Sequence, residues 1–117
     1  MIITSQKAKK AILAALGDEE MVKILDSVMD KAKSVNEIMR EQKIPYTTAY
    51  RKTKWLLDEG LLVVSKIDIT PDGKKSSLVY TVLKSITVRY QQHDITIEAE
   101  QNFDIVRRVM QKFFSME

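Results

Sequence analysis

Tyr46, Thr47, Thr48, Tyr50, Arg51 and Lys54 crowd into one short stretch of the chain, and their side chains share a chemistry. Arg51 offers a planar fork of N–H donors and Lys54 a compact ammonium, and either matches the guanine O6 and N7 acceptors or a phosphate oxygen. The threonine and tyrosine hydroxyls add neutral donors, and the tyrosine rings add faces against which a base can stack. Between Arg40 and Lys54 the basic residues Arg40, Lys43, Arg51, Lys52 and Lys54 are opposed by Glu41 alone. A local positive excess therefore stands inside a chain whose formal net charge is only +3. Taken singly, each of these cations is also what the solvated face of an amphipathic helix carries. The combination acts on nucleic acid only if a rigid, protruding element presents it.

The surrounding spacing predicts such an element. Ser34 and Glu37 form the S-x-x-E signature of a capping box, in which each residue satisfies a backbone N–H that the first helical turn leaves unpaired. Val35, Ile38 and Met39 share one face of the helix that follows. Ile44-Pro45 breaks the pattern, Ala49, Thr53 and Leu56 resume it, and Gly60 ends it. Two short helices across a tight turn result, with small Ala49 suited to a close crossing and with Tyr46, Thr47, Tyr50, Arg51 and Lys54 pointing outward. A hairpin comes next. Leu61 to Ile69 and Leu78 to Leu83 read as strands around Thr70-Pro71-Asp72-Gly73, where Pro71 presets its φ and Gly73 accepts a positive one. Lys74 and Lys75 fall at its tip, where a cationic hairpin lies along a phosphate backbone.

Elements on either side complete the reading. Ala8, Ile12, Leu13, Ala15 and Leu16 recur at helical spacing, with Lys7, Lys9 and Lys10 opposite, most simply for solubility. Asp18, Glu19 and Glu20 favour a second helix start, which buries Met21, Ile24, Leu25 and Val28. Beyond residue 85, apolar and polar residues alternate. Folding about a Gln91-Gln92-His93-Asp94 loop pairs Tyr90 with Ile95, Val88 with Ile97 and Ile86 with Ala99 on one face, and Arg89 with Thr96 and Thr87 with Glu98 on the other. The apolar face needs a cover. A C-terminal helix capped by Asn102, with Phe103, Val106, Met110 and Phe113 in one stripe, is the predicted cover. The pattern alone does not say whether that stripe packs within the chain or across a dimer.

Several segments in order carry a family resemblance: Ala15-Leu16-Gly17-Asp18-Glu19, SVNEI at 34–38, IPYTTAYRKTKWLLDEGLL at 44–62 and SSLVYTV at 76–82. Together, over residues 15–84, they resemble the winged helix-turn-helix regulators of the ArsR-like type, most of all the short forms common in archaea. The resemblance implies a homodimeric transcriptional regulator that binds double-stranded DNA. It implies contacts from Thr47, Thr48, Tyr50, Arg51 and Lys54, with Lys74 and Lys75 on the wing; Tyr46 and Lys43 join them by position. Related regulators pair through terminal helices, which directs Ile12, Leu16, Phe103, Val106, Met110 and Phe113 to a dimer interface. Trp55 and Leu57 depart from the pattern, standing where a polar residue is more usual.

The expected architecture is α+β, mainly α: a winged helix-turn-helix with an added N-terminal helix, a second β-hairpin and a C-terminal helix. At 117 residues and 44% hydrophobic, one domain over 1–117 is expected, with the helix-turn-helix at about 34–59, the wing at about 61–83, and the second hairpin and last helix at about 85–116. Cysteine is absent, which argues against a disulfide framework and a thiolate metal sensor. No catalytic constellation, metal site or cofactor is expected: His93, the lone histidine, sits in a turn, and the glycines punctuate element ends. With no leader or membrane-length apolar run, a cytoplasmic location is expected. Two alternatives stay open. One is a protein-docking winged helix anchored by Trp55, Leu57, Tyr46 and Tyr50; the other is a ligand-responsive switch in which the second hairpin and the C-terminal helix enclose an unidentified small apolar effector.

Overall fold

Among the described residues, three of the four helices start on a side-chain cap, and the fourth in chain order does not. The computed structural model describes residues 1–102, ordered as α1 Gln6–Leu16, α2 Glu19–Ser27, α3 Val35–Gln42, α4 Tyr46–Asp58, β1 Leu62–Ile69, β2 Lys75–Thr81, β3 Leu83–Gln91 and β4 Asp94–Gln101. Ser5 caps α1 by accepting from the Ala8 N–H at 3.2 Å, and Asp18 caps α2 by accepting from the Met21 N–H at 3.0 Å. Ser34 and Glu37 close the predicted capping box on α3: the Ser34 Oγ accepts from the Glu37 N–H at 3.2 Å, and the Glu37 carboxylate accepts from the Ser34 N–H at 3.4 Å. Such a cap stabilises by about 1 kcal/mol. Helix α4 starts behind Pro45, with no side-chain cap.

The α3–α4 turn is made by Lys43, which takes the left-handed conformation at φ 55°, and by Ile44, which drops into the core at 4% exposure. Helices α2, α3 and α4 enclose Ile24, Val28, Ile38, Ala49 and Leu56, each without measurable exposure. Ala49 has no side chain beyond Cβ, so α4 can cross close to its neighbours there.

Strands β1 and β2 pair antiparallel, with Val64 opposite Val79, Ile67 opposite Ser77 and Ile69 opposite Lys75; a bulge interrupts the ladder between Val64 and Lys66. The turn closes through Thr70 N–H to Lys74 O at 2.8 Å and Gly73 N–H to Thr70 O at 2.9 Å, with Gly73 at φ 83° as expected. Lys33, between α2 and α3, exchanges both backbone hydrogen bonds with Val79 and adds a one-residue rung to β2. Local pattern carries no trace of this rung.

In the second hairpin all five predicted pairs occur: Tyr90–Ile95, Val88–Ile97 and Ile86–Ala99 on one face, Arg89–Thr96 and Thr87–Glu98 on the other. The connection is shorter than the expected loop. Gln91 pairs with Asp94, and only Gln92 and His93 turn, at φ 48° and 67°, the pair of positive values a type I′ turn demands. The apolar face is dry only at its base. Ile97 and Ala99 share the core with Ile12 and Ala15 of α1, whereas Val88 is 39% and Tyr90 69% exposed. The first residues also run along β4, with Ile3 N–H to Ile97 O at 2.9 Å and Ala99 N–H to Met1 O at 2.8 Å. Lys9, half-buried, donates to the Ile95 carbonyl at 3.2 Å, so one of the three α1 lysines holds the helix on the hairpin.

Two residues of the expected dimer seam fall among the described residues. Ile12, at 2% exposure, is enclosed by its own chain and has no surface to give a partner, while Leu16 remains 40% exposed. The rest of the expected seam, Phe103, Val106, Met110 and Phe113, lies with the C-terminal helix outside the described residues. Asn102, the expected cap of that helix, is buried and donates from Nδ2 to the carbonyls of Met29 at 3.1 Å and Thr81 at 3.3 Å.

Candidate nucleic-acid interface

Because Ala49, Thr53 and Leu56 face the core, the opposite side of α4 is forced outward. Thr47, Arg51 and Lys54 are exposed there, Tyr46 is 50% and Tyr50 52% exposed, and Thr48 is half-buried at the edge. Tyr46 and Tyr50, one helical turn apart, stack with ring centroids 6.2 Å apart and planes inclined by 25°. Lys43 is exposed on the turn just before α4.

A groove of about 720 Å³ separates this face from the first hairpin. Tyr46, Tyr50, Lys54 and Leu57 line it from α4; Thr70, Asp72, Lys74, Lys75 and Ser77 line it from the hairpin. Lys54, Lys74 and Lys75, distant in sequence, thus share one concave surface. Arg51, Thr47 and Lys43 stand outside that lining, on the open side of α4. The tip is not purely cationic. The Thr70 hydroxyl donates to Asp72 and holds its carboxyl below the usual carboxylate range, so one fixed negative charge accompanies the two lysines.

The local charge count changes in two places. Lys52, half-buried, turns back from the outer face and its Nζ reaches Asp18 at 2.7 Å and Glu20 at 2.9 Å, pinning α4 to the start of α2. It is withdrawn from any ligand. Glu41, the sole acid counted against the cations, is paired with Lys33 at 2.6 Å, which cancels its charge locally. Trp55 and Leu57 are half-buried and packed against the core, so they are poor anchors for a docking partner.

The Lys52 contact makes a pH prediction. Hydrogen bonding to Lys52, and then to the Met21 N–H, lowers the Asp18 pKa, so the folded state holds this proton less readily than the unfolded chain. The resulting stability is fully present above the unfolded value, about pH 4, and disappears as pH falls through the lower folded value. Asp18→Asn keeps an oxygen for the cap but removes the charge. Its melting temperature should therefore fall less steeply than wild type between about pH 5 and about pH 3. Parallel curves for the two proteins would contradict the contact.

A hairpin directly after the outer helix, with a third rung at Lys33 and with α2, α3 and α4 behind, decides the architecture. The fold is a winged helix-turn-helix, α+β, with β1 and β2 as its wing. No protein-family model and no curated protein matches the chain. Among solved structures, HlyU from Vibrio cholerae N16961 is similar at 13% identity and a TM-score of 0.44, over 94% of each chain. The transcriptional regulator HlyU from Vibrio vulnificus CMCP6 is similar at 13% identity and a TM-score of 0.43, over 91% of this chain and 85% of that one. Among the described residues no three acidic or histidine side chains gather as a metal site requires, and no helix is long and apolar enough to cross a membrane.

Proposed function

We propose that this chain is a sequence-specific DNA-binding transcriptional regulator of the ArsR-like type that works as a homodimer on double-stranded DNA. The observation that carries the reading is the shared groove: Lys54 of α4 faces Lys74 and Lys75 of the wing, with Tyr46 and Tyr50 along the same wall. In this reading α4 enters the major groove, where Thr47, Arg51 and Lys54 meet base edges and Lys43 and Thr48 meet the backbone. The wing follows the neighbouring phosphates. Without a side-chain cap, α4 presents its first N–H groups and positive dipole end to a phosphate. A gel-shift assay on the DNA upstream of the protein's own coding region, with excess competitor DNA, tests the proposal. Retention of that fragment supports it, and equal displacement from both DNAs removes it.

A single helix-turn-helix makes few base contacts, and a dimer doubles them. Leu16 and the sequence stripe Phe103, Val106, Met110 and Phe113 are proposed to form the seam, setting two α4 helices about 34 to 36 Å apart, one turn of DNA. Sedimentation at micromolar concentration should give a dimer. A 13.5 kDa monomer would remove that part of the proposal.

The wing is assigned a positioning role. Lys74 and Lys75 are exposed beside a turn, where a cation reaches phosphate but nothing orients it on a base. Replacing both by Ala should weaken binding to every sequence by a similar factor. The slope of log affinity against log salt should fall by about 0.9 for each phosphate that is no longer neutralised. An intact slope would show that the wing does not touch phosphate, and a changed base preference would show that it reads a groove.

A second reading has its own observation. Val64, Ile67 and Ile69 are 47%, 58% and 69% exposed on the wing, and their register places Ile67 and Ile69 opposite Ser77 and Lys75. That apolar row suits a protein partner. Failure to retain any DNA would favour this docking role.

A further inference from the structure

The first two turns of α4 place two rings, Tyr46 and Tyr50, on the wall that faces the wing, while Thr47 and Arg51 stand on the open side. Tyr46 and Tyr50 stack on one another one helical turn apart, each about half exposed, and neither belongs to the core that holds the helix in place. Each ring limits the rotation of the other, so the pair forms a preformed aromatic slab that gives up little side-chain freedom when it is covered. In a helix lying in the major groove, the leading turns are the part that approaches base edges. An aromatic slab there discriminates by what it can cover. Thymine carries a 5-methyl group in the major groove, whereas cytosine presents a hydrogen at that position and an N4 amino donor beside it. Burying the methyl against a ring removes apolar surface from water on both sides. Cytosine has no methyl to bury, and since its N4 amino group and the thymine O4 are equally costly to leave unpaired, the methyl is what separates the two bases.

We propose that Tyr46 and Tyr50 read thymine by its 5-methyl group, so that the DNA site preferred by this chain places thymines beneath the first two turns of α4. The inference rests on the DNA-binding reading above and adds its base preference. Arg51 projects about 100° around the helix from Tyr50, on the open side of α4, so reading by charge and reading by methyl contact divide around the helix.

The test uses the full chain and a duplex enriched from a randomised pool by repeated selection. Thymines in the stretch the protein protects are replaced one at a time by deoxyuridine, which deletes the methyl and leaves base pairing intact. At one or two positions affinity should fall about fourfold, the equivalent of one buried methyl or methylene group. Tyr46→Ala with Tyr50→Ala should bind thymine and uracil duplexes alike at those positions. Tyr46→Phe with Tyr50→Phe should keep the wild-type discrimination, because the ring and not the hydroxyl makes the contact. An enriched duplex with no uracil-sensitive thymine overturns the inference while leaving DNA binding in place. So does sensitivity that survives the alanine pair or vanishes in the phenylalanine pair. A pool that yields no enriched duplex overturns the DNA-binding reading and the inference with it.

Discussion

Leu56→Ala should lower the unfolding free energy by about 2 to 5 kcal/mol, the range for truncating a fully enclosed leucine whose surroundings cannot collapse. Leu56 has no exposed surface and sits in the core with Ile24, Ile38, Ala49, Leu61 and Leu62. It belongs to the apolar face that seats α4 against the rest of the molecule. Domains of this size are stable by about 5 to 15 kcal/mol in total, so the decrease is a large share of what holds the outer helix in place. Urea unfolding measures it directly. The midpoint should move with an unchanged slope. A cost below about 1 kcal/mol would mean that the site collapses freely and that α4 is held by other contacts. DNA affinity of the folded variant should change little, since Leu56 faces away from the outer surface.

Arg51→Ala should show the reverse pattern. Arg51 is exposed on the open side of α4, and no salt bridge occupies its guanidinium among the described residues. Stability should shift by no more than about 0.5 kcal/mol, as is usual for surface positions. Affinity for the preferred duplex should drop by about 1 to 3 kcal/mol, and discrimination should relax at a single base pair, if the fork takes guanine O6 and N7 together. Arg51→Lys should restore affinity in part but not discrimination, because an ammonium lacks the planar fork. Unchanged affinity and unchanged preference in Arg51→Ala would remove the residue from the interface. The contrast with Leu56 separates positioning from contact on one helix.

What can be read from the residues is what is local. The capping box of Ser34 and Glu37, the breaking of the helix at Ile44-Pro45 and the wing turn at Gly73 depend on neighbours within a few positions. The register of the second hairpin follows from alternation together with the place of the 91–94 turn: a one-residue slip would turn every apolar side chain to the wrong face, and the turn fixes which apolar residues meet. Its turn escapes the pattern for a physical reason. Type I′ geometry usually recruits asparagine or glycine, whereas here Gln92 and His93 adopt the positive φ angles, and nothing in those residue types announces it.

The remaining differences are contacts across long sequence separations. Lys52 counts among the local cations by sequence, yet it closes on Asp18 and Glu20, far earlier in the chain. Helical periodicity places Lys52 near the boundary of the buried face and cannot name the acids waiting there. Ile12 reads as a seam residue because α1 looks like an addition to a complete core. The pairing of Ile3 with Ile97, and the packing of Ile12 and Ala15 with Ile97 and Ala99, draw that end of the chain into the body of the fold. The candidate interface is legible as a set of outward residues on α4. The groove shared by Lys54, Lys74 and Lys75 is not, since it depends on the angle at which the wing leaves the helix.

Whether the outer face of α4, with the wing beside it, selects a DNA sequence is tested most directly by fluorescence anisotropy at one fixed salt concentration, with a duplex enriched from a randomised pool and a scrambled duplex of the same composition. The enriched duplex should bind at least about a thousandfold more tightly, the lower bound of the usual gap between specific and non-specific binding. Equal affinity for the two duplexes, falling together as salt rises, would contradict selection: the face would then be a basic surface that holds phosphate without reading sequence.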